Sequence, residues 1–292
     1  MTEESALYGH QRVVGVIQAR VGSTRLPAKV LRLIAGRPMI VRIWERLCLA
    51  RQPDDVLAAI PDTAENDTLA AVLQRERIPF VRGPEEALAT RLFWASVDGP
   101  NVDKPPTAAI VRITGDEPLI DPHVIDHLVA EWRRDPEIDY VSNVYPASKR
   151  SCPEGLDVEV MRCSLLARLR KEGGEAETSP SEWLWAHPNA MRWSLVAFEP
   201  VDPGLPSLHW SVDTAEDLAG ARVVYERLPE GFTMAEVLAE FGEVSLPEIG
   251  RKHQAATTEL KELRGEVWAS RALFRHRSQA QKKGQRADRD AP

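Results

Sequence analysis

Arg20, Arg25 and Lys29 lie within one short stretch, interleaved with Gly22, Ser23 and Thr24, directly after the apolar run Val13-Val14-Gly15-Val16-Ile17. An apolar strand that breaks into such a loop is one way to build a pocket for a polyphosphate. Glycine lets backbone N–H groups approach the anion, while guanidinium forks and an ammonium neutralise it. Neither the GxxxxGK[ST] nor the GxGxxG spacing is present, and a plain basic surface loop is the competing interpretation. Asp116, in Thr114-Gly115-Asp116-Glu117-Pro118, and Asp213, closing Trp210-Ser211-Val212-Asp213, each follow an apolar run. Two carboxylates from separate strand ends suit Mg²⁺ when phosphates supply the other ligands. Such an ion bridges phosphate oxygens, neutralises charge at the α-phosphorus and steadies a pyrophosphate leaving group. Either aspartate alone reads equally well as a turn or cap residue. Their pairing with a basic loop favours the metal.

A second group of polar residues could meet an acceptor. Lys149 and Arg150 could hold an anionic group, and Glu154, Asp157 and Glu159 could bind hydroxyls, assist a metal or face solvent. His209 could act as a base, although a lone histidine beside a tryptophan is more often structural. Cys152 has no adjacent histidine to activate it. Cys48, Cys152 and Cys163 are too widely spaced for a disulfide framework or a zinc site.

These residues need a scaffold, and the hydropathy pattern supplies one. Strands are expected at 13–18, 56–60, 78–81, 108–113 and 140–143, and helices at 38–51, 66–77, 85–97 and from Asp121-Pro122 onward. A polar, proline-bearing loop is expected at 98–106. Strand–helix alternation over about 145 residues implies an α/β fold, a mostly parallel sheet with helices on both faces. Ligands in such sheets sit beyond the carboxyl ends of the strands. Residues 18–29, 114–116 and Asn143 all follow strands and can converge there. Further on, Leu156-Asp157-Val158-Glu159-Val160 alternates like a half-buried strand with two acids on one face. Helices are expected at 164–171 and 233–241, a loop at 173–180, and strands at 193–196 and 210–213. Thr214 would cap the next helix, with Asp217 at its third position. The readable domain spans 1–251, and 252–292 reads as a largely disordered polar tail.

The chain has 292 residues with 28% charged, 43% hydrophobic and a formal charge of −7. The acidic balance argues against a nucleic-acid partner. No apolar segment approaches the roughly 18 residues that cross a bilayer, and the polar start lacks a signal peptide's apolar core. A cytoplasmic protein without membrane association is the expectation.

At the level of motifs, Gln18-Ala19-Arg20-Val21-Gly22-Ser23-Thr24-Arg25-Leu26-Pro27-Ala28-Lys29-Val30-Leu31 resembles the QARxGSxRLPGKxL signature of the cytidylyltransferase family. That family includes CMP-sugar synthetases for sialic acid and Kdo and spore-coat polysaccharide F-like proteins. Residues 112–122 resemble its RxTGDxPLIDP, 153–160 its PDGLDVEV and 210–214 its LTVDT. The resemblance implies a Rossmann-like nucleotide-diphospho-sugar transferase fold, CTP as donor, Mg²⁺ as cofactor and a homodimer. Arg20, Ser23, Arg25 and Lys29 would cradle the triphosphate, and Asp116 and Asp213 would carry metal. Gln18, Ala19, Gly22, Asp62, Arg91, Thr114 and Gly115 would complete the nucleotide site. Asn143, Lys149, Arg150, Glu154, Asp157 and Glu159 would face the acceptor.

There are departures from the family pattern. Ala28 replaces the usual glycine, Ala87 and Ala89 interrupt EEDVLxR, and Glu154 replaces an aspartate. Residues 181–188 keep a trace of REHVTPY. Trp183, Trp185, Trp193 and Trp210 cluster in this part of the sequence, either as core or as the wall of a reduced pocket. A reduced pocket suits a small phosphonate such as phosphonoformate, gripped by Lys149 and Arg150; an acidic sugar of the Kdo or sialic acid type is the larger choice. A glycosyltransferase using a preformed nucleotide sugar and a non-catalytic nucleotide-binding subunit are the competing functions.

Overall fold

The apolar run at the start of the chain becomes the middle of the sheet. A computed structural model describes residues 11–97, 106–135, 137–198 and 204–255, and in it β1 (Arg12–Gln18) lies between two parallel neighbours, β4 (Asp55–Pro61) and β6 (Thr107–Thr114). A small β2–β3 hairpin (Leu33–Ile34, Arg37–Pro38) precedes β4, and β5 (Phe80–Gly83) extends the sheet beyond it. On the other side come β8 (Glu159–Arg162), β7 (Tyr140–Ser142) and β9 (Trp193–Leu195), giving the order β5-β4-β1-β6-β8-β7-β9. Only β8 runs against its neighbours. The sheet is therefore mostly parallel, as expected.

Alternation along β1 divides the core. Val13 and Ile17 point to the face covered by α1 (Met39–Leu47), α2 (Asp67–Arg75), α4 (Pro122–Arg134) and α8 (Ala215–Arg227). Val14 and Val16 point to the face covered by α3 (Leu88–Val97), α5 (Cys163–Glu172) and α7 (Pro180–Ala186). A strand buried on both faces has no polar side, so its sequence reads as a continuous apolar run. The expected Thr214 cap forms, as a reciprocal capping box with Asp217, and at the helix start expected at Asp121-Pro122 the Asp121 side chain accepts from the His123 amide at 2.8 Å.

Three expectations fail. The loop expected at 173–180 is α6 (Gly174–Thr178) followed by the start of α7. Tertiary contacts decide this: Ala176 is buried, and Glu177 accepts from the Thr90 hydroxyl at 2.5 Å. The strand expected from Leu156 begins only at Glu159, and it is not half-buried, because Glu159 is 3% exposed. Residues 210–213 form no strand. Their amides are spent beyond the sheet, Trp210 on the Glu154 carbonyl at 2.7 Å and Val212 on the Asp116 carbonyl at 2.8 Å. After α9 (Met234–Phe241), α10 occupies 246–255 at the end of the described residues, so helix continues past the expected boundary at 251. The expected loop at 98–106 lies almost wholly outside the described residues, as do the first ten residues and the tail from 256. Among the described residues no helix is long and apolar enough to cross a membrane.

Candidate active site

Position 18 ends β1, and the loop beyond it is pinned at several points. The Ala19 amide bonds the Ala59 carbonyl at 3.3 Å and the Gly115 amide bonds the Gln18 carbonyl at 2.9 Å. A Cβ on Gly115 would meet the Ala19 Cβ at 3.0 Å, so glycine permits this close approach. The Val21 amide donates to Asn66 Oδ1 at 2.9 Å, and Asn66 is fully buried, a loop anchor that the sequence reading missed. Ala28 closes the loop at φ 54°, ψ 32°. That left-handed conformation explains why glycine is usual in this position.

The cations of the loop converge on the two aspartates. Lys29 Nζ donates to Asp116 Oδ2 at 2.7 Å and to Asp213 Oδ1 at 2.9 Å, and Arg25 reaches the same Asp213 oxygen at 2.8 Å. Burial lowers the Lys29 pKa, but the attraction and hydrogen bonds of the two carboxylates outweigh it and leave a net raised value. Thr114 donates to the other Asp116 oxygen at 2.5 Å, and Asp217 fixes Asp213 by accepting its amide at 3.0 Å. Two hard carboxylates that already embrace one positive centre have the right chemistry for a divalent ion. Among the described residues no group of three or more His, Cys, Asp and Glu could hold a metal, so such an ion would draw further ligands from substrate oxygens.

Arg20 remains outside this cluster, largely exposed and 3.8 Å from Glu85. Arg91 is buried and donates to the carbonyls of Pro84 and Glu85 at 2.6 and 2.9 Å. Burial, with the nearby charge of Arg20, pulls its pKa down to about 10. Asp62 is exposed beside them, its amide on the Gly83 carbonyl at 2.9 Å.

A cleft of about 730 Å³, open to solvent, leads away from Asp116 and Asp213. Its walls include Arg25, Arg112, Glu117, Asp157, Glu159 and Trp185. Gly155, at φ 100°, allows one wall to form: a Cβ there would lie 2.4 Å from the Ser211 amide nitrogen.

The cytidylyltransferase family profile matches residues 14–179, more than half of the chain. The protein belongs to the cytidylyltransferase family. It is therefore a nucleotidyltransferase enzyme. The spore coat polysaccharide biosynthesis protein SpsF of Bacillus subtilis is 25% identical over 75% of this chain and 88% of its own length. The 3-deoxy-manno-octulosonate cytidylyltransferase of Syntrophotalea carbinolica is 35% identical over 43% of this chain, an alignment that spans 47% of that enzyme. Among solved structures, a cytidylyltransferase from Leptospira borgpetersenii superposes with a TM-score of 0.71 at 22% identity, covering 82% of this chain and 97% of that one.

In this cytidylyltransferase the expected acceptor residues fare unequally. Glu154, Asp157 and Glu159 line the cleft. Asn143 does not: it is fully buried, donating to the Leu156 carbonyl at 2.7 Å and accepting from the Val158 amide at 2.9 Å. A buried amide with its bonds made is a structural clasp rather than a ligand contact. Lys149 is exposed and outside the cleft wall. Arg150 is taken up by a bidentate pair with Asp157 at 2.6 and 2.9 Å. The anion grip expected of these two cations is therefore absent from the cleft. Of the four clustered tryptophans only Trp185 lines it. Trp210 is fully buried core, Trp183 stacks on His187, and Trp193 packs edge-on against Tyr145.

Several lining residues escaped the sequence reading. Arg112 pairs with Glu159 and donates to Gln18 Oε1 at 2.7 Å and Ser181 Oγ at 3.1 Å. Its signal was present, as the first residue of the motif holding Asp116. Glu117 is buried with Oε2 unbonded, and burial, then repulsion from Asp157 and Asp116, holds its carboxyl well above the usual range. Ser181 and Glu182 carry no such signal, because the helix that presents them was expected only as a trace motif, whereas Trp185 on the same helix is one of the four tryptophans expected as core or as pocket wall. His209 sits at the rim, with Nδ1 3.0 Å from Glu154, outside the cleft lining. Burial drives the Cys152 thiol up to about 12 and the Cys48 and Cys163 thiols up to about 11, which fits the absence of a thiol nucleophile.

Proposed function

We propose that this enzyme transfers CMP from CTP to an acidic acceptor and releases pyrophosphate. One observation carries the reading: Lys29 Nζ bonds both Asp116 and Asp213 at the mouth of the cleft, so a phosphate-loop cation and two strand-end carboxylates meet at one point. Arg20, Ser23, Arg25 and Lys29 receive the triphosphate, with Gln18, Gly22, Thr114 and Gly115 shaping the loop. Ala19, Asp62 and Arg91 border the base. Asp116 and Asp213 would hold Mg²⁺, which supplies charge neutralisation at the α-phosphorus when bound. Lys29 and Arg25 steady the negative charge of the departing pyrophosphate.

In the cleft, Arg112 is the cation that an acidic group would meet once Arg25 has turned to the triphosphate. Glu117, Glu154 and Asp157 offer oxygens to hydroxyl groups. That mixture suits a hydroxylated acid, an acidic sugar, better than a compact phosphonate. Assembly as a homodimer belongs to the same proposal, supported by the family resemblance, and sedimentation equilibrium tests it.

The deciding experiment incubates the protein with each nucleoside triphosphate, Mg²⁺ and a panel of sugar acids and small phosphonates, and measures pyrophosphate. Acceptor-dependent release with CTP alone, abolished in Asp116→Asn, supports the proposal. Turnover confined to phosphonates corrects the acceptor class. Consumption of a nucleotide sugar without pyrophosphate release, or CTP binding without turnover across the panel, overturns it.

A further inference from the structure

Lys29 stands where a cation bound by Asp116 and Asp213 would stand. Its ammonium is 2.7 Å from one carboxylate and 2.9 Å from the other, and its side chain is only 11% exposed. Arg25 adds a second positive group to the same Asp213 oxygen, and Thr114 occupies the remaining Asp116 oxygen. The other Asp213 oxygen, Oδ2, faces His209 Nε2 at 3.8 Å. The two aspartates are thus matched in charge by Lys29 and Arg25.

We infer that Lys29 holds the divalent ion's place and that the ion enters only together with the nucleotide triphosphate. The inference rests on the proposed roles of Asp116 and Asp213. A divalent ion added to the neutral cluster would face two positive groups and would have to displace Lys29 from two hydrogen bonds. A triphosphate changes this balance. It offers Lys29 and Arg25 stronger anionic partners, and it brings phosphate oxygens that a divalent ion accepts as ligands. Both side chains can make the transfer: the lysine stem has four rotatable carbons, and Arg25 is 68% exposed at its present position. The loop backbone need not move, since its own hydrogen bonds, Ser23 and Ala28 amides to the Val21 carbonyl, are independent of the aspartates. The consequence is that nucleotide and metal arrive together.

The test uses Mn²⁺ with the full chain, reading free Mn²⁺ by electron paramagnetic resonance and heat by titration calorimetry. Wild type should bind Mn²⁺ at least tenfold more weakly without CTP than with it, after correction with Asp116→Asn/Asp213→Asn in the same CTP solution. Lys29→Met should gain at least tenfold in nucleotide-free Mn²⁺ affinity and lose that gain when Asp213→Asn is added. Arg25→Met, at an exposed position, should show a smaller gain of the same sign, and Lys29→Gln provides a polar replacement; circular dichroism confirms that each variant is folded. Equal Mn²⁺ affinity with and without CTP in wild type, or unchanged nucleotide-free affinity in Lys29→Met and Lys29→Gln, overturns the inference. CTP binding measured without metal separates the two levels. If CTP binds and pyrophosphate is released while the lysine variants gain nothing, the placeholder role alone falls. If neither CTP nor Mn²⁺ binds, the functional proposal falls with it.

Discussion

Replacing Arg112 by methionine removes one partner of a buried ion pair, and the surroundings set the cost. Glu159, 3% exposed, accepts from Arg112, from the Tyr140 hydroxyl at 2.5 Å and from Ser181 Oγ at 3.0 Å. Without Arg112 it keeps two neutral donors but has no countercharge. Leaving one buried charge unpaired costs about 3–5 kcal/mol. Arg112 borders the open cleft and its side chain is 14% exposed, so water reaches the vacated site and the low end, about 3 kcal/mol, is expected. With a urea m-value of about 2–3 kcal/mol/M for a domain of this size, the unfolding midpoint should fall by about 1 M. The eight tryptophans, with Trp132 and Trp210 fully buried, report the transition by fluorescence.

The decisive arm is the double variant Arg112→Met/Glu159→Met. If the cost of each single variant is mainly an orphaned charge, removing both charges should cost less than removing either one, because apolar replacements leave no charge unpaired. Additive single costs in the double variant, or a midpoint shift below about 0.3 M in Arg112→Met, would refute the reasoning.

Ala28→Gly relieves a left-handed backbone that costs a residue with a Cβ about 1–2 kcal/mol. Set against glycine's greater unfolded-state entropy, the net gain should be below about 1 kcal/mol, read as a rise of about 2 °C in melting temperature. Arg46→Met strips the carbonyls of Ile120 and Phe232 of donors at 2.6 and 2.7 Å inside the core. Unsatisfied buried acceptors cost about 1–3 kcal/mol each, so urea unfolding should show a loss of about 2–4 kcal/mol once relief of the buried charge is counted. His209→Gln tests linkage. Burial lowers the His209 pKa, but the bond and charge of Glu154, with Asp217 and Asp213, raise it further. A raised folded pKa stabilises fully below the unfolded value near about 6.5 and loses its effect as pH rises through the folded value. The melting-temperature gap between wild type and variant should therefore be largest near about pH 6 and close well above neutrality.

The loop after β1 was legible because its signals are local. A strand buried on both faces writes a continuous apolar run, and the loop that follows it must carry its glycine and cations in sequence. Asp116 and the Thr214–Asp217 box obey the same logic. The lining of the cleft beyond it depends on which side chains meet through space. Arg150 reads as an available cation until Asp157, seven residues on, is seen to take both arms of its guanidinium. The alternation of residues 156–160 did mark two faces, but the second face is covered by α7 and the Tyr140 hydroxyl instead of by water. The run at 210–213 has strand-like composition, yet its amides bond Glu154, Asp116 and Asp217, contacts that composition cannot encode.

The same pairing removes an apparent conflict in the proposal. A cleft bordered by Asp116, Glu117, Glu154, Asp157, Glu159 and Asp213 looks hostile to an acidic acceptor. In space, however, Asp116 and Asp213 are matched by Lys29 and Arg25, Asp157 by Arg150, Glu159 by Arg112, and Glu154 faces His209. Glu117, left with an unbonded oxygen, is the carboxyl that burial and its acidic neighbours push furthest toward the neutral form. The local field is then far weaker than the count of acids suggests. In the proposed reaction Lys29 and Arg25 would turn to the triphosphate, the carboxylates they release would hold a divalent ion, and the acidic acceptor would meet a cleft whose charges are already matched.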